Sequence, residues 1–140
     1  MNELFLIISI FGLLASPASD SCIVPATVAA LADHEPIFAC NIFAFSAKER
    51  KRHFEELGPA LRHMRKDVRE LANGYEFDFP SDAKTFAMLS EWSEQERRCC
   101  PFFDIDIRIN RGGGPLTLRL TGAKGTKEFI QADAGDWIRK

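Results

Sequence analysis

The sequence lacks the patterns that mark several large classes of protein. It has no Cys-x2-Cys pair and no His-x3-His pair, so it carries no standard zinc motif. It also lacks an excess of basic residues: eighteen Lys and Arg against twenty Asp and Glu give a net charge of -2. That balance argues against a dedicated nucleic-acid binder. No internal repeat or low-complexity tract occurs, and tyrosine occurs once whereas phenylalanine occurs twelve times. A chain of 140 residues that is 46% hydrophobic is therefore expected to bury a core without disulfides.

The N-terminal segment contains an apolar run, Leu4–Leu14, that is too short to cross a membrane as a helix. The small residues Ala15–Ala18 follow it and are typical of a signal-peptide cleavage site, but Met1–Glu3 lacks the usual Lys or Arg. Residues 1–18 therefore have two interpretations. A secretory signal would place the protein in the periplasm or outside the cell, whereas an N-terminal extension from a start codon too far upstream would leave it in the cytoplasm.

Residues 19–39 have no clear period and are interpreted as a linker, so the predicted single domain covers 40–140. Ser46 and Glu49 form the pattern of a capping box at the start of a helix. From there an apolar stripe at spacings of three and four predicts an amphipathic helix that a Gly-Pro pair kinks or breaks. Its residues are Phe54, Leu57, Leu61, Met64, Val68 and Leu71. The stripe has two interpretations, core packing or the seam of a homodimer.

Three later segments alternate apolar and polar residues, as half-buried strands do: 75–79, 104–109 and 115–120. A second helix is expected between the first two strands, and a third helix after the last strand. The predicted order is helix, strand, helix, strand, strand, helix. This order predicts an α+β fold with a small mixed three-stranded sheet packed on one face by helices.

The adjacent pair Cys99-Cys100 is the least ordinary feature of the chain. Pro101 follows it and ends the second helix on backbone grounds, because a residue before proline is pushed out of the α region. Arg97 and Arg98 would lower a thiol pKa, whereas the C-terminal end of a helix dipole would raise it. Adjacent helical residues point about 100° apart, so both sulfurs reach one small site only if the helix unwinds at the proline.

Cys40 supplies a third thiol if the start of the domain folds back onto the helix end. Three thiols suit a soft ion such as Zn(II), Cu(I) or Hg(II), so the predicted metal ligands are Cys40, Cys99 and Cys100. Two other interpretations stay open: disulfides in an exported chain, and buried cysteines that act only as small hydrophobic residues. His53 and Glu96 are expected on the surface, with a second interpretation for Glu96 as an acid or base beside Cys99 or Cys100.

Residues Glu96–Phe102 read Glu-Arg-Arg-Cys-Cys-Pro-Phe, and with Gly74–Phe77 and Leu118–Gly122 they resemble a small bacterial family of uncharacterised proteins with a Glu-Arg-x-Cys-Cys-Pro-Phe signature. The resemblance runs from about Cys40 to Ala132 and implies no established activity. The sequence leaves three functions open. The protein is a thiol-based binder of soft metal or metalloid ions, a small cysteine-dependent redox protein or enzyme, or a non-catalytic module that dimerises through the apolar stripe of the first helix.

Overall fold

A computed structural model describes residues 38–139, which form helices and a sheet around a main apolar core. The signal-peptide interpretation of residues 1–18, Cys22 and nearly all of the predicted linker lie outside the described residues. The elements in chain order are α1 (Ala47–Lys51), a π-helical segment (Arg52–Leu57), α2 (Gly58–Met64), β1 (Asp67–Leu71), β2 (Gly74–Phe79), α3 (Ala83–Cys99), β3 (Phe103–Ile109), β4 (Leu116–Gly122) and α4 (Thr126–Asp133).

The four strands form one antiparallel sheet in the order β1-β2-β4-β3. Strand β4 lies between β2 and β3, with Phe77 opposite Leu118 and Leu118 opposite Ile107. Because β2 and β3 both run antiparallel to β4, they run in the same direction without touching. Helix α3 therefore crosses the sheet from one side of β4 to the other, and its C-terminal end lies beside the start of β3.

One face of the sheet is apolar and is covered by the helices. The strands supply Tyr75, Phe77, Phe79, Leu116, Leu118 and Leu120 to this core, and the helical segments supply Leu57, Leu61, Leu89, Trp92, Ile130 and Trp137. The opposite face carries charged pairs, among them Arg69 with Glu76 and Asp78. The alternation seen in the sequence thus reflects a sheet with one buried and one solvated face.

The predicted α+β class, with helices on one face of a sheet, is confirmed, but the strand count and direction are not. The sheet has four strands rather than three, and it is antiparallel rather than mixed. The extra strand is β1, where a continuing helix was expected. Strand β4 inserts between β2 and β3, so the two strands that the crossover joins are not neighbours.

The predicted long helix ends at Met64, and its apolar stripe does not lie on one exposed surface. Leu57 and Leu61 are fully buried in the core of the chain itself, whereas Val68 and Leu71 belong to strand β1. The six stripe residues therefore do not share one helix face, and dimerisation through them stays a prediction. Instead of breaking at Gly58-Pro59, the chain passes from π-helix to α-helix there, with the Gly58 N–H bonded to the His53 carbonyl.

The predicted helix start at Ser46 is confirmed. Ser46 accepts from the Glu49 N–H and Glu49 accepts from the Ser46 N–H, which completes the capping box. Asp82 caps α3 by accepting from the Thr85 N–H at 2.9 Å. Within residues 38–139 no helix combines the length and the apolar character needed to cross a membrane.

Candidate functional site: a cluster of three thiols

The cysteine pair lies where α3 ends, and the end of the helix lets both sulfurs serve one place. Cys99 is the last helical residue, and Cys100 leaves the α region with φ -123° and ψ 73°. The Cys100 N–H still bonds to the Glu96 carbonyl at 2.7 Å. Both cysteines are fully buried. The unwinding before Pro101 thus removes the obstacle that a regular helix would impose on two adjacent cysteines.

Cys40 reaches the same place from the segment before α1. The neighbouring Asn41 N–H donates to the Cys99 carbonyl at 2.8 Å, which joins this segment to the end of α3. The ring of Phe38 packs on Phe102 with centroids 5.1 Å apart. Cys40 itself is exposed. The sulfur atoms of Cys40, Cys99 and Cys100 all lie within 4.8 Å of one another.

Phenylalanine rings surround the thiol cluster, the name used here for Cys40, Cys99 and Cys100. Phe45 belongs to the same buried cluster as Cys99 and Cys100, and Phe102 and Phe103 pack against it. Phe129 of α4 meets Phe102 with centroids 4.8 Å apart. The excess of phenylalanine over tyrosine therefore has a structural meaning here, because these rings bring no hydroxyl group next to the sulfurs.

A buried polar group lies beside the thiols, and sequence reasoning placed both of its main members on the surface. His53 is 2% exposed and Glu96 is 9% exposed. Glu96 Oε2 lies 2.9 Å from His53 Nε2, and Gln95 Oε1 lies 3.1 Å from His53 Nδ1. The imidazole stacks on the Trp92 ring, with an interplanar angle of 10°. Each ring nitrogen of His53 therefore has a partner inside the protein.

Local helix geometry explains how this polar group comes to face the thiols. Glu96 precedes Cys99 and Cys100 by three and four residues, which puts it on their side of α3. His53 lies in the π-helical segment, where the wider turn directs its ring towards α3; such turns are frequent at functional sites. The three-and-four spacing from Glu96 was visible in the sequence and could have identified Glu96. Nothing comparable identified His53.

The environment lowers the pKa of one thiol of the cluster and raises the pKa values of the other two. The thiol of Cys100 forms a hydrogen bond with the sulfur of Cys40 that lowers the pKa of Cys40, although partial burial and Glu96 oppose this. Burial, with the nearby Cys40 and Glu96, raises the pKa of Cys99 to about 12. The hydrogen bond to Cys40, followed by burial, raises the pKa of Cys100. Of the three thiols, that of Cys40 is therefore the one that loses its proton most readily.

The two arginines next to the pair do not act on it as their sequence positions suggested. Arg97 is 66% exposed along its side chain and pairs with Glu94 at 3.2 Å. Arg98 pairs with Glu49 at 3.0 Å and lies over the Phe45 ring. Both guanidinium groups are engaged with carboxylates away from the sulfurs. Of the two opposing effects expected from the sequence, the lowering by these arginines does not prevail, since the pKa values of Cys99 and Cys100 are raised.

A cavity of about 170 Å³ opens next to Cys40. Its lining includes the aromatic rings of Trp92 and Trp137 and the polar side chains of His53 and Glu96. Asp133 is among the charged residues at this cavity. The thiol cluster therefore borders a space through which a small ion or molecule could approach the exposed sulfur.

Neither a known protein family, nor a characterised protein, nor a solved structure matches this chain. The resemblance of Glu96–Phe102 to a bacterial signature thus stays a prediction.

Proposed function

We propose that the protein binds a soft metal or metalloid ion through the thiol cluster. The observation that carries the proposal is that the three sulfur atoms lie within 4.8 Å of one another. They come together although Cys40 precedes Cys99 by 59 residues in the sequence. Three points this close always share a point within about 2.8 Å of each (4.8 Å divided by √3), against metal–sulfur bonds of about 2.3 Å. A movement of about half an ångström per sulfur would close the cluster on an ion.

The scaffold around the cluster supports the same proposal. Cys99 and Cys100 are fixed by the end of a seventeen-residue helix, and Cys40 is held next to them by the Asn41 backbone bond. Soft thiolates select soft ions, and an apolar surrounding limits water access to the bound ion. Packing alone would explain one buried cysteine, but it gives no reason for an exposed third sulfur to join two buried ones.

Cadmium binding by the full-length, reduced chain tests the proposal. We expect one Cd(II) per chain by native mass spectrometry, with the ultraviolet thiolate-to-metal absorption of bound cadmium. Cys40→Ser is the main variant because Cys40 is exposed and its replacement leaves the core intact. It should weaken binding at least as much as the 10–100-fold that loss of an outer-shell partner costs. Cys100→Ser should do the same.

Cys22→Ser is the matched control, since Cys22 is not one of the three proposed ligands. Binding that is equal in the native chain, Cys40→Ser and Cys100→Ser would reject the proposal.

A second candidate function is thiol redox chemistry, favoured by the exposed, low-pKa sulfur of Cys40 next to the Cys100 thiol. Joining these two sulfurs in a disulfide releases two protons and two electrons, which a disulfide such as oxidised glutathione accepts as it is cleaved to two thiols. Incubation with oxidised glutathione followed by peptide mapping distinguishes this function. A Cys40–Cys100 disulfide formed in preference to mixed disulfides would support it, and unchanged thiols would exclude it.

A further inference from the structure

We infer that the thiol cluster is built for a trivalent metalloid, with arsenite as the representative ligand, rather than for a divalent metal. This inference rests on the proposed ion-binding function and names the class of ion. Three observations carry it: the number of donors, the charges around them and the rings that cover them.

The donor count favours an ion that is complete with three sulfurs. Within residues 38–139 the group of close ligand atoms consists of the three sulfurs, with no His, Asp or Glu atom joining them. Glu96 is the nearest carboxylate in sequence, and its Oε2 is bonded to His53 instead. Structural zinc sites are almost always closed by four protein ligands. Trivalent arsenic forms three bonds to sulfur in a pyramid and keeps a lone pair in the fourth direction.

The charges around the cluster favour a complex that is neutral. A complex of three thiolates has a net charge of -2 with a monovalent ion, -1 with a divalent ion and zero with a trivalent ion. The charged residues lining the adjoining cavity are Arg62, Glu96, Asp133 and Asp136. Because Arg139 pairs with Asp136, the remaining three sum to one negative charge. Arg97 and Arg98, the bases nearest in sequence, are paired with Glu94 and Glu49. A residual negative charge at the buried sulfurs would therefore have little compensation, and burying such a charge is costly.

The reaction with arsenite brings no net charge into this site. Arsenous acid, As(OH)3, is neutral in water at pH 7. Three S–As bonds form as three As–O bonds break, and each departing hydroxide takes one thiol proton to leave as water. The phenyl rings of Phe45, Phe102 and Phe103 that pack at Cys99 and Cys100 then face the complex and offer no oxygen or nitrogen ligand.

The test compares arsenite with Cd(II) on the full-length, reduced chain. X-ray absorption at the arsenic edge should show three sulfur neighbours and no oxygen, and arsenite should displace bound Cd(II) when the two are present at equal concentration. Cys40→Ser should remove one sulfur neighbour and weaken arsenite binding by about 100-fold or more. Because Cys40 is exposed, circular dichroism of this variant should match the native chain.

A second variant tests the effect of the surrounding charge separately from the number of sulfur ligands. Asp133→Asn removes a negative charge at the cavity beside Cys40. It should tighten Cd(II) binding by about threefold, the order of effect of one charge through water, and leave arsenite binding unchanged. Asp136→Asn is the control, because Asp136 is already paired with Arg139 at 3.0 Å.

Each alternative outcome has a distinct meaning. Cadmium held by the three cysteines and not displaced by arsenite would overturn the metalloid inference and leave the proposed function standing. Weaker Cd(II) binding in Cys22→Ser would also overturn it, because Cys22 would then be the fourth ligand of a divalent site. If Cys40→Ser binds both ions as tightly as the native chain does, the proposal that the thiol cluster binds ions is contradicted as well.

Discussion

At the scale of single residues, the cysteines of the cluster could be selected from the sequence, whereas the buried polar side chains beside them could not. The chemistry of sulfur was enough to select Cys40, Cys99 and Cys100, because thiolate is an uncommon and specific ligand. His53 and Glu96 are ordinary residue types in ordinary helical sequences, for which a solvated surface is the common environment. Only their burial, at 2% and 9% exposure, shows that they face each other inside the protein.

We predict that His53→Leu destabilises the fold by about 2 kcal/mol, since it leaves Glu96 and Gln95 buried without their partner. Urea unfolding monitored by tryptophan fluorescence measures the loss, and Trp92 next to His53 makes the signal local. Glu96→Gln should cost less than Glu96→Leu, because the amide can still bond to the imidazole.

His63→Leu is the matched control, because His63 is exposed on α2; its effect should stay within about 0.5 kcal/mol. Equal losses for His53→Leu and His63→Leu would contradict the role given to the buried pair.

At the scale of secondary-structure elements, the strongest local signals predicted the correct structure and the weakest one did not. The strictly alternating segments became β2, β3 and β4, and the capping residues Ser46 and Asp82 start helices. Strand β1 is an edge strand in which no residue is fully buried, so its sequence shows no alternation. Its pairing with β2 is a tertiary interaction that overrides local preference, which a single sequence cannot reveal.

Arg69 connects the edge strand to β2 and makes the stability of the sheet depend on pH. It bonds to Glu76 and to Asp78, at 2.6 and 2.8 Å. Hydrogen bonds from Arg69 lower the pKa of Asp78, against partial burial. Burial raises the pKa of Glu76, but the bonds to Arg69 and Arg119 outweigh it, so that pKa is lowered too. These carboxylates stabilise the fold above their unfolded pKa values and lose that contribution as the pH falls through the folded values.

Arg69→Met should therefore lower the free energy of unfolding at pH 7 by about 1 kcal/mol, as for a partly exposed ion pair. The difference from the native chain should shrink below about pH 4, as Glu76 and Asp78 become protonated. Urea titrations at pH 7 and pH 3 measure both quantities. Arg108→Met is the control: Arg108 lies on β3, on the same face of the sheet as Arg69, and has no ion pair among the described residues. This variant should have no such pH-dependent effect. A constant Arg69→Met deficit at both pH values would contradict the linkage.

At the scale of the whole molecule, the fold class followed from the sequence but the strand order did not. The predicted element order is compatible with several sheets, and the choice of β1-β2-β4-β3 depends on which edges bury the most apolar surface together. The same long-range packing brings Cys40 to Cys99. The three cysteines could be proposed as ligands from sulfur chemistry alone, whereas their proximity depends on the complete domain.

Because the cluster forms only in the folded chain, ion binding should raise the melting temperature. A ligand at one hundred times its dissociation constant stabilises a folded protein by about 2.7 kcal/mol, less any affinity of the unfolded thiols. We expect a rise of several degrees with saturating Cd(II) or arsenite in differential scanning calorimetry. Cys40→Ser should reduce this rise while keeping the melting temperature of the ion-free chain close to native. A rise of equal size in Cys40→Ser would show that the ion acts elsewhere.

The backbone bond from Asn41 to Cys99 has a consequence for the topology of the chain. It holds the two ends of a segment of about sixty residues, which contains α1, α2, β1, β2 and α3. An ion shared by Cys40 and Cys99 would add two metal–sulfur bonds to that single hydrogen bond, and would tie the start of the domain to the end of α3 in the folded chain. Unlike a disulfide, this crosslink would come and go with the supply of the ion.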